Sequence, residues 1–190
     1  MSATAAQAGM DAAIGAFMDA ELFQLTLGAV AGRGKMYEPD LKEKVRKPAQ
    51  DTLRAMLEAT WPSYKSSVSE HAHIDNIQSI SEKMSSRHAD ILRGGKFRIG
   101  LAQKALNLYL KYRWCLGQIG SPPHCPFDAG ILMKIPGWRG HSWIAIDLME
   151  DYTRLVGAAR AVAGQQGLAE WELSVYNTLG TRGIKKELQA

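Results

Sequence analysis

Apolar residues recur every three to four positions along most of the chain, the spacing of one face of an α-helix. Met10, Ile14, Phe17, Met18, Leu22, Leu25 and Val30 predict a first helix over 10–30. Gly28, Gly32 and Gly34 break it, and a charged loop runs on to Asp40. A second helix is expected over 41–59, interrupted near Pro48 because an interior proline removes a helical hydrogen bond. Trp61-Pro62 closes it. Ser67-Val68-Ser69-Glu70 has capping-box spacing and starts a third helix near Val68. Its stripe of Ile74, Ile77, Ile80 and Met84 continues to Ile91 and Leu92 before Gly94-Gly95. Leu101, Ala105, Leu108, Tyr112 and Cys115 then mark one face of a fourth helix, which Gly117 stops.

The stretch 118–127, with Gly120, Pro122, Pro123 and Pro126, reads as a loop. Asp128 follows it as the N-cap of a short helix. A second loop covers 136–142. Ile144, Leu148, Tyr152, Leu155, Ala159 and Val162 predict a long amphipathic helix ending at Gly164 and Gly167, and a last helix forms around Trp171 over 168–179. No alternating strand pattern is present. The expected fold is all-α, a compact single-domain helical bundle over 1–190.

Composition fits that reading: 46% of residues are hydrophobic and 22% charged, as in an ordinary globular chain. No uninterrupted apolar run reaches the roughly 18 residues of a membrane-spanning helix, so no membrane association is expected. Asp11 and Asp19 in a start without basic residues predict no secretory signal. Two cysteines, Cys115 and Cys125, exclude a disulfide scaffold and suit a reducing, cytoplasmic setting. Net charge is +4. Its distribution matters more, because eight basic residues (Lys83, Arg87, Arg93, Lys96, Arg98, Lys104, Lys111, Arg113) face one acidic residue, Asp90, between positions 83 and 113. Such a concentration is the footprint of a phosphate-backbone binder, and equally the solvated face of a basic helix.

Several motifs fall away on spacing. In Gly28-Ala-Val-Ala-Gly32-Arg-Gly34-Lys35-Met36, methionine stands where a phosphate loop needs Ser or Thr, so the segment reads as a helix terminus. His71 and His73, two apart on a helix, point to different faces. Cys115, His124 and Cys125 lack the paired spacing of a zinc site, and no metal or other cofactor is expected. Cys115 on the apolar stripe reads as a buried small hydrophobe. No Gly-x-Ser-x-Gly nucleophile elbow occurs.

The segment 92–134 carries the most chemistry. A helix ends at Gly94-Gly95, a turn centres on Gly100, and a new helix starts at once. Exposed amides there, beside Lys96 and Arg98, would cradle a phosphate. Lys104, Asn107 and Lys111 share one side of the new helix. With Lys104 in the first turn, the dipole and nearby cations disfavour positive charge, a condition that suits an amine nucleophile. Asp128, at the next helix start, is held ionised.

These residues resemble the helix-hairpin-helix DNA glycosylases, in particular the 8-oxoguanine branch. The family hairpin reads approximately Leu-Pro-Gly-hydrophobic-Gly-x-Lys-hydrophobic-Ala; this chain has Arg98-Ile99-Gly100-Leu101-Ala102-Gln103-Lys104-Ala105-Leu106, then Pro126-Phe127-Asp128 after the loop. Ile99 stands for the hairpin proline and Ala102 for its second glycine, making the hairpin degenerate. The interval from Lys104 to Asp128 is longer than the family's, and the chain is shorter than its two-lobed members. The resemblance implies that Lys104 is the Schiff-base lysine and Asp128 the catalytic aspartate. Lys96, Arg98, Gly100, Ala102, Lys111 and Arg113 would contact DNA, and Trp114, Phe127 and Trp138 are, by proximity in sequence, the candidates to stack on a flipped base. It implies double-stranded DNA with a damaged base as partner, excision with associated lyase cleavage, and a nucleoid-associated location within the cytoplasm. The residues alone leave other readings open: Lys104 as a solvated helix lysine, Asp128 as an ordinary N-cap, and the chain as a non-catalytic nucleic-acid-binding or protein-interaction domain.

Overall fold

A helix buried on every side must have its polar groups paired inside the protein as well as its apolar ones packed, and one such helix lies at the centre of this protein. The computed structural model describes residues 3–187, with side-chain surroundings over 7–178. The α-helices are α1 (Ala3–Leu27), α2 (Glu43–Thr60), α3 (Glu70–His88), α4 (Ile99–Cys115), α5 (Ala129–Leu132), α6 (Met149–Ala163) and α7 (Leu168–Glu187). Among the described residues there is no strand, only an antiparallel bridge between Tyr37 and Leu92. The fold is all-α.

Helix α4 is the hub. Fourteen of its residues are buried, including Leu106 and Leu110 on the side away from the expected stripe and Tyr109 on its flank, so α4 has no solvated face. Helices α1, α3 and α6 and the turn Trp143–Ala145 pack around it. Cys115 is a correction: it is exposed at the C-terminal end of α4, whereas Cys125 is the buried cysteine.

Four boundaries differ from expectation. Helix α2 runs unbroken through exposed Pro48, because Ala49, Leu53 and Leu57 lock it into the core. The Gln50 amide also donates to Glu43 Oε1 at 2.8 Å, tying the residues after the proline to the first turn. Ser69, not Ser67, caps α3, its hydroxyl accepting from the Ala72 amide at 3.2 Å. Ile91 and Leu92 leave the helix to pair with the segment after α1, through Glu38 N–H to Ile91 O and Arg93 N–H to Met36 O, both 3.0 Å. Ile144 likewise lies in a separate 3-10 turn ahead of α6.

Helix α1 and the π-helical turn Gly28–Arg33 that ends it are long and apolar enough, by length and composition alone, to cross a membrane. That stretch carries Asp11, Asp19, Glu21 and Arg33, and it sets Leu22, Phe23, Leu27 and Val30 into the shared core.

Candidate functional site

The site is built by two amide side chains of α4. Gln103 faces the proline-rich loop and clamps one residue from both sides: its Oε1 accepts from the Phe127 amide at 3.1 Å and its Nε2 donates to the Phe127 carbonyl at 2.8 Å. One turn on, Asn107 Nδ2 donates to the Cys125 carbonyl at 2.9 Å. The loop is thereby pinned along α4, and the residue after Phe127 is Asp128. Its extended backbone starts α5, and Oδ1 accepts from the Ile131 amide at 3.1 Å. The other oxygen, Oδ2, is left for the Lys104 ammonium, which donates at 2.8 Å.

Lys104 and Asp128, distant in sequence, are therefore in contact. Burial pushes the Asp128 carboxyl up, but the Lys104 charge, its hydrogen bond and the Ile131 and Gly130 amides outweigh that and hold it below the ordinary carboxylate range. The pair borders a cavity of about 430 Å³ walled by Trp143, Tyr176, Arg33 and Gly130. It shares Arg33, Lys104, Asp128 and Tyr176 with a neighbouring lobe bounded also by Glu21, Gln24 and Tyr112. The Lys104 side chain is 8% exposed and the Asp128 side chain 32%, so the acid is the more accessible partner.

Gly100 matters through close approach. A Cβ there would lie 1.9 Å from the Trp143 carbonyl oxygen, so only glycine lets the Trp143 turn seat on the start of α4. The same packing corrects the expected phosphate cradle. The Gly100 amide donates to Ile146 O at 2.9 Å, and the Leu101 and Ala102 amides return to Arg98 O at 2.9 and 3.0 Å. These donors are occupied within the protein, and Ala102 is fully buried. Lys104 also lies on the second turn of α4, beyond the first turn where the dipole acts most strongly.

Two further expected DNA contacts are internal. Lys111 is buried and donates to Glu172 Oε2 at 2.6 Å. Arg113 is 1% exposed and donates to Asp19, Gln118 and the Tyr109 hydroxyl at 2.6, 2.8 and 2.5 Å, with its guanidinium over Trp61. Lys96 is exposed but paired with Asp147 at 3.0 Å. Arg98, half-buried, faces a separate cavity described below.

The expected base-stacking residues lie elsewhere too. Phe127 is fully buried with its ring edge-on to Tyr152. Trp114 is ten residues along α4 from Lys104, roughly 15 Å at the helical rise. Trp138 packs on His141 at a different cavity of about 450 Å³, beside the mutually paired Asp151 and Arg154. The aromatic side chains that do border the Lys104–Asp128 cavity and its lobe are Trp143, Tyr176 and Tyr112.

A buried polar chain supports the site from behind. The Asn76 amide donates to Tyr64 OH (3.1 Å), which donates to His73 Nδ1 (2.8 Å); His73 Nε2 donates to Asn107 Oδ1 (2.9 Å). Asn107 Nδ2 donates to Tyr152 OH (3.2 Å), Tyr152 to His124 Nδ1 (2.7 Å), and His124 Nε2 to Glu70 (3.2 Å). The order assigns one neutral tautomer to each imidazole. Burial lowers both to about 3; the neighbouring imidazole adds to this at His73 and the Arg160 charge at His124. His71, by contrast, is exposed. Among the described residues no group of His, Cys, Asp and Glu is arranged to hold a metal ion.

Sequence reasoning missed Gln103 and Tyr152, although Gln103 and Asn107, one turn apart on a largely apolar helix, were a visible signal of buried amide partners. It also set aside the glycine-rich end of α1, which supplies Arg33 to this cavity and Lys35 to the next. No protein-family model, no curated protein and no solved structure matches the chain.

Proposed function

We propose that the protein excises a base from DNA through the Lys104 amine, as a glycosylase with associated abasic-site lyase activity. The observation that carries this reading is the 2.8 Å contact between Lys104 Nζ and Asp128 Oδ2 at the wall of an open cavity bordered by Trp143 and Tyr176. An extruded nucleotide would enter that cavity, its base against the aromatic walls. Asp128 takes a proton from the ammonium. The Nζ lone pair then attacks C1′ as the glycosidic bond breaks, and the base leaves with the bonding pair and a proton. Opening of the sugar C1′–O4′ bond gives a Schiff base, from which β-elimination cleaves the strand. Asp128, ionised again once its proton has passed to the leaving base, also stabilises the positive charge of the Schiff base.

Borohydride reduction on duplexes carrying 8-oxoguanine, uracil or an abasic site tests this reading. A covalent adduct is expected with the native chain and none with Lys104→Ala. Asp128→Asn keeps an N-cap side chain and should lower the single-turnover rate about 10²- to 10⁴-fold in a chain that circular dichroism shows still folded. No adduct from the folded native chain on any of the three duplexes sinks the proposal. A second reading, a non-catalytic duplex binder, draws on the exposed cations Lys35 and Arg93 beside half-buried Arg98. It predicts salt-sensitive binding with no adduct.

A further inference from the structure

The most concentrated unneutralised charge near the candidate site lies outside the amine–acid pair. Lys35, Arg93 and Arg98 border one cavity of about 400 Å³, with Ser142, Ile144, Ala145 and Asp147 completing its wall. Chain pairing assembles it. The segment after the π-helical turn and the segment after α3 are joined by the Tyr37–Leu92 bridge and the Arg93–Met36 and Glu38–Ile91 backbone bonds. These bonds bring Lys35 beside Arg93, far apart in sequence. The Gly94 amide donates to Glu38 Oε1 at 2.8 Å and fixes the following turn. Gly94 has φ +66°, and its missing side chain leaves room for the Arg98 guanidinium, 3.4 Å from where a Cβ would stand. Lys35 itself holds φ +50°, an uncommon conformation for a residue with a side chain.

Among the described residues no carboxylate pairs with Lys35, Arg93 or Arg98. Asp147, the one acid on the wall, is engaged by Lys96. Three cations facing one hollow repel each other unless an anion joins them. The cavity is set against the back of the Trp143 turn: Trp143 borders the Lys104–Asp128 cavity, while Ser142, Ile144 and Ala145 border this one. Arg33 and Lys35, two residues apart, face the two cavities in turn.

We infer that Lys35, Arg93 and Arg98 form a phosphodiester site that grips the nucleic-acid backbone next to the nucleotide held at Lys104 and Asp128. In naming that nucleotide the inference rests on the proposed excision reading; the anion chemistry stands on its own geometry. Side chains here replace the amides at the start of α4, which are occupied. The contact is to backbone, so it is independent of base sequence.

The test is equilibrium binding of the full chain to an undamaged labelled duplex across a salt series. Lys35→Ala combined with Arg93→Ala should weaken binding at least tenfold and reduce the slope of log affinity against log salt by about 2. Both side chains are exposed, so the fold should survive, which circular dichroism checks. Lys65→Ala is the control: Lys65 lies over Trp61, which stacks on Arg113 at the far end of α4, and its loss should leave the slope unchanged. An unaltered slope in the double variant overturns the site, as does an equal loss from Lys65→Ala. If the slope falls as expected while the native chain gives no borohydride adduct, the phosphodiester site stands and the excision reading fails. If an adduct forms but the slope does not move, the reverse holds.

Discussion

Helix α4 carries two lysine–carboxylate pairs seven residues apart, and they are not equivalent. At Lys104–Asp128 the side chains are 8% and 32% exposed and the acid also accepts from a helix-start amide. At Lys111–Glu172 they are 9% and 3% exposed, and Lys111 is the hydrogen-bond partner that holds Glu172. The consequence is opposite in sign. Burial raises the Glu172 carboxyl, and the pull of Lys111 does not bring it back, whereas the Asp128 carboxyl ends below its ordinary range. A sealed pair is locked to its partner, but a pair at a cavity wall can exchange that partner for a ligand. Contact with a cation therefore does not by itself separate a lysine that a ligand can reach from one sealed in the core. Access and the acid's other donors do.

The largest effect should come from breaking the sealed pair. Lys111→Ala leaves Glu172 buried without its cation and should cost about 3–5 kcal/mol in denaturant unfolding. Lys104→Ala removes the same ammonium yet leaves Asp128 beside solvent with its amide donor, and should cost about 1 kcal/mol. If the two variants lose equal stability, the distinction drawn between the pairs is wrong.

Acid should expose the support behind the open pair. His73 and His124 titrate near 3 in the folded chain, against an ordinary imidazole value of 6.5. Above 6.5 both states are neutral and the full stability is present. As pH falls from 6.5 toward 3 the unfolded chain takes up protons that the folded chain refuses. Stability should then fall by about 1.4 kcal/mol per pH unit for each histidine. Unfolding midpoints measured between pH 7 and 5 check this, and a flat profile contradicts the neutral, directionally ordered chain.

Helical periodicity made most elements legible, because a buried face is written locally in the spacing of apolar residues. Asp128 as an N-cap was legible for the same reason: a cap is settled within four consecutive residues. Surface charge was not local. Eight basic residues in one segment suggested a continuous cationic face, yet Lys111 and Arg113 turn inward to Glu172 and Asp19, partners 61 and 94 residues away in the chain. Nor could local pattern choose between Ser67 and Ser69, both serines with acceptable spacing, or show that Ile91 and Leu92 leave α3 for Tyr37 and its neighbours. The aromatic wall was misplaced because proximity in sequence to Lys104 stood in for proximity in space, whereas Trp143 arrives through the Gly100 contact.

The Gln103 clamp tests whether placing the acid matters beyond pairing it. Gln103→Leu leaves the buried Phe127 amide and carbonyl without their partner and should cost about 1–3 kcal/mol. Because Asp128 follows Phe127 directly, the same variant should lower the single-turnover excision rate at saturating DNA more than it lowers affinity. Gln103→Glu restores an acceptor for the Phe127 amide but not a donor for the carbonyl, so it should recover only part of the loss. A variant that loses stability but keeps the native rate would make the clamp purely structural.

The smallest expected effect sharpens the comparison most. Replacing Lys111 and Glu172 together by Met and Leu removes both buried charges and fills the space with apolar atoms. Such exchanges of sealed pairs come out near neutral or stabilising, because neither ion must then be stripped of water. The double variant should therefore unfold within about 1 kcal/mol of the native chain, and borohydride trapping should be retained in full. The same exchange at Lys104 and Asp128 should also fold but trap nothing, since amine and acid are both gone. Equal trapping by the two double variants would show that the open pair, for all its access, is as inert as the sealed one.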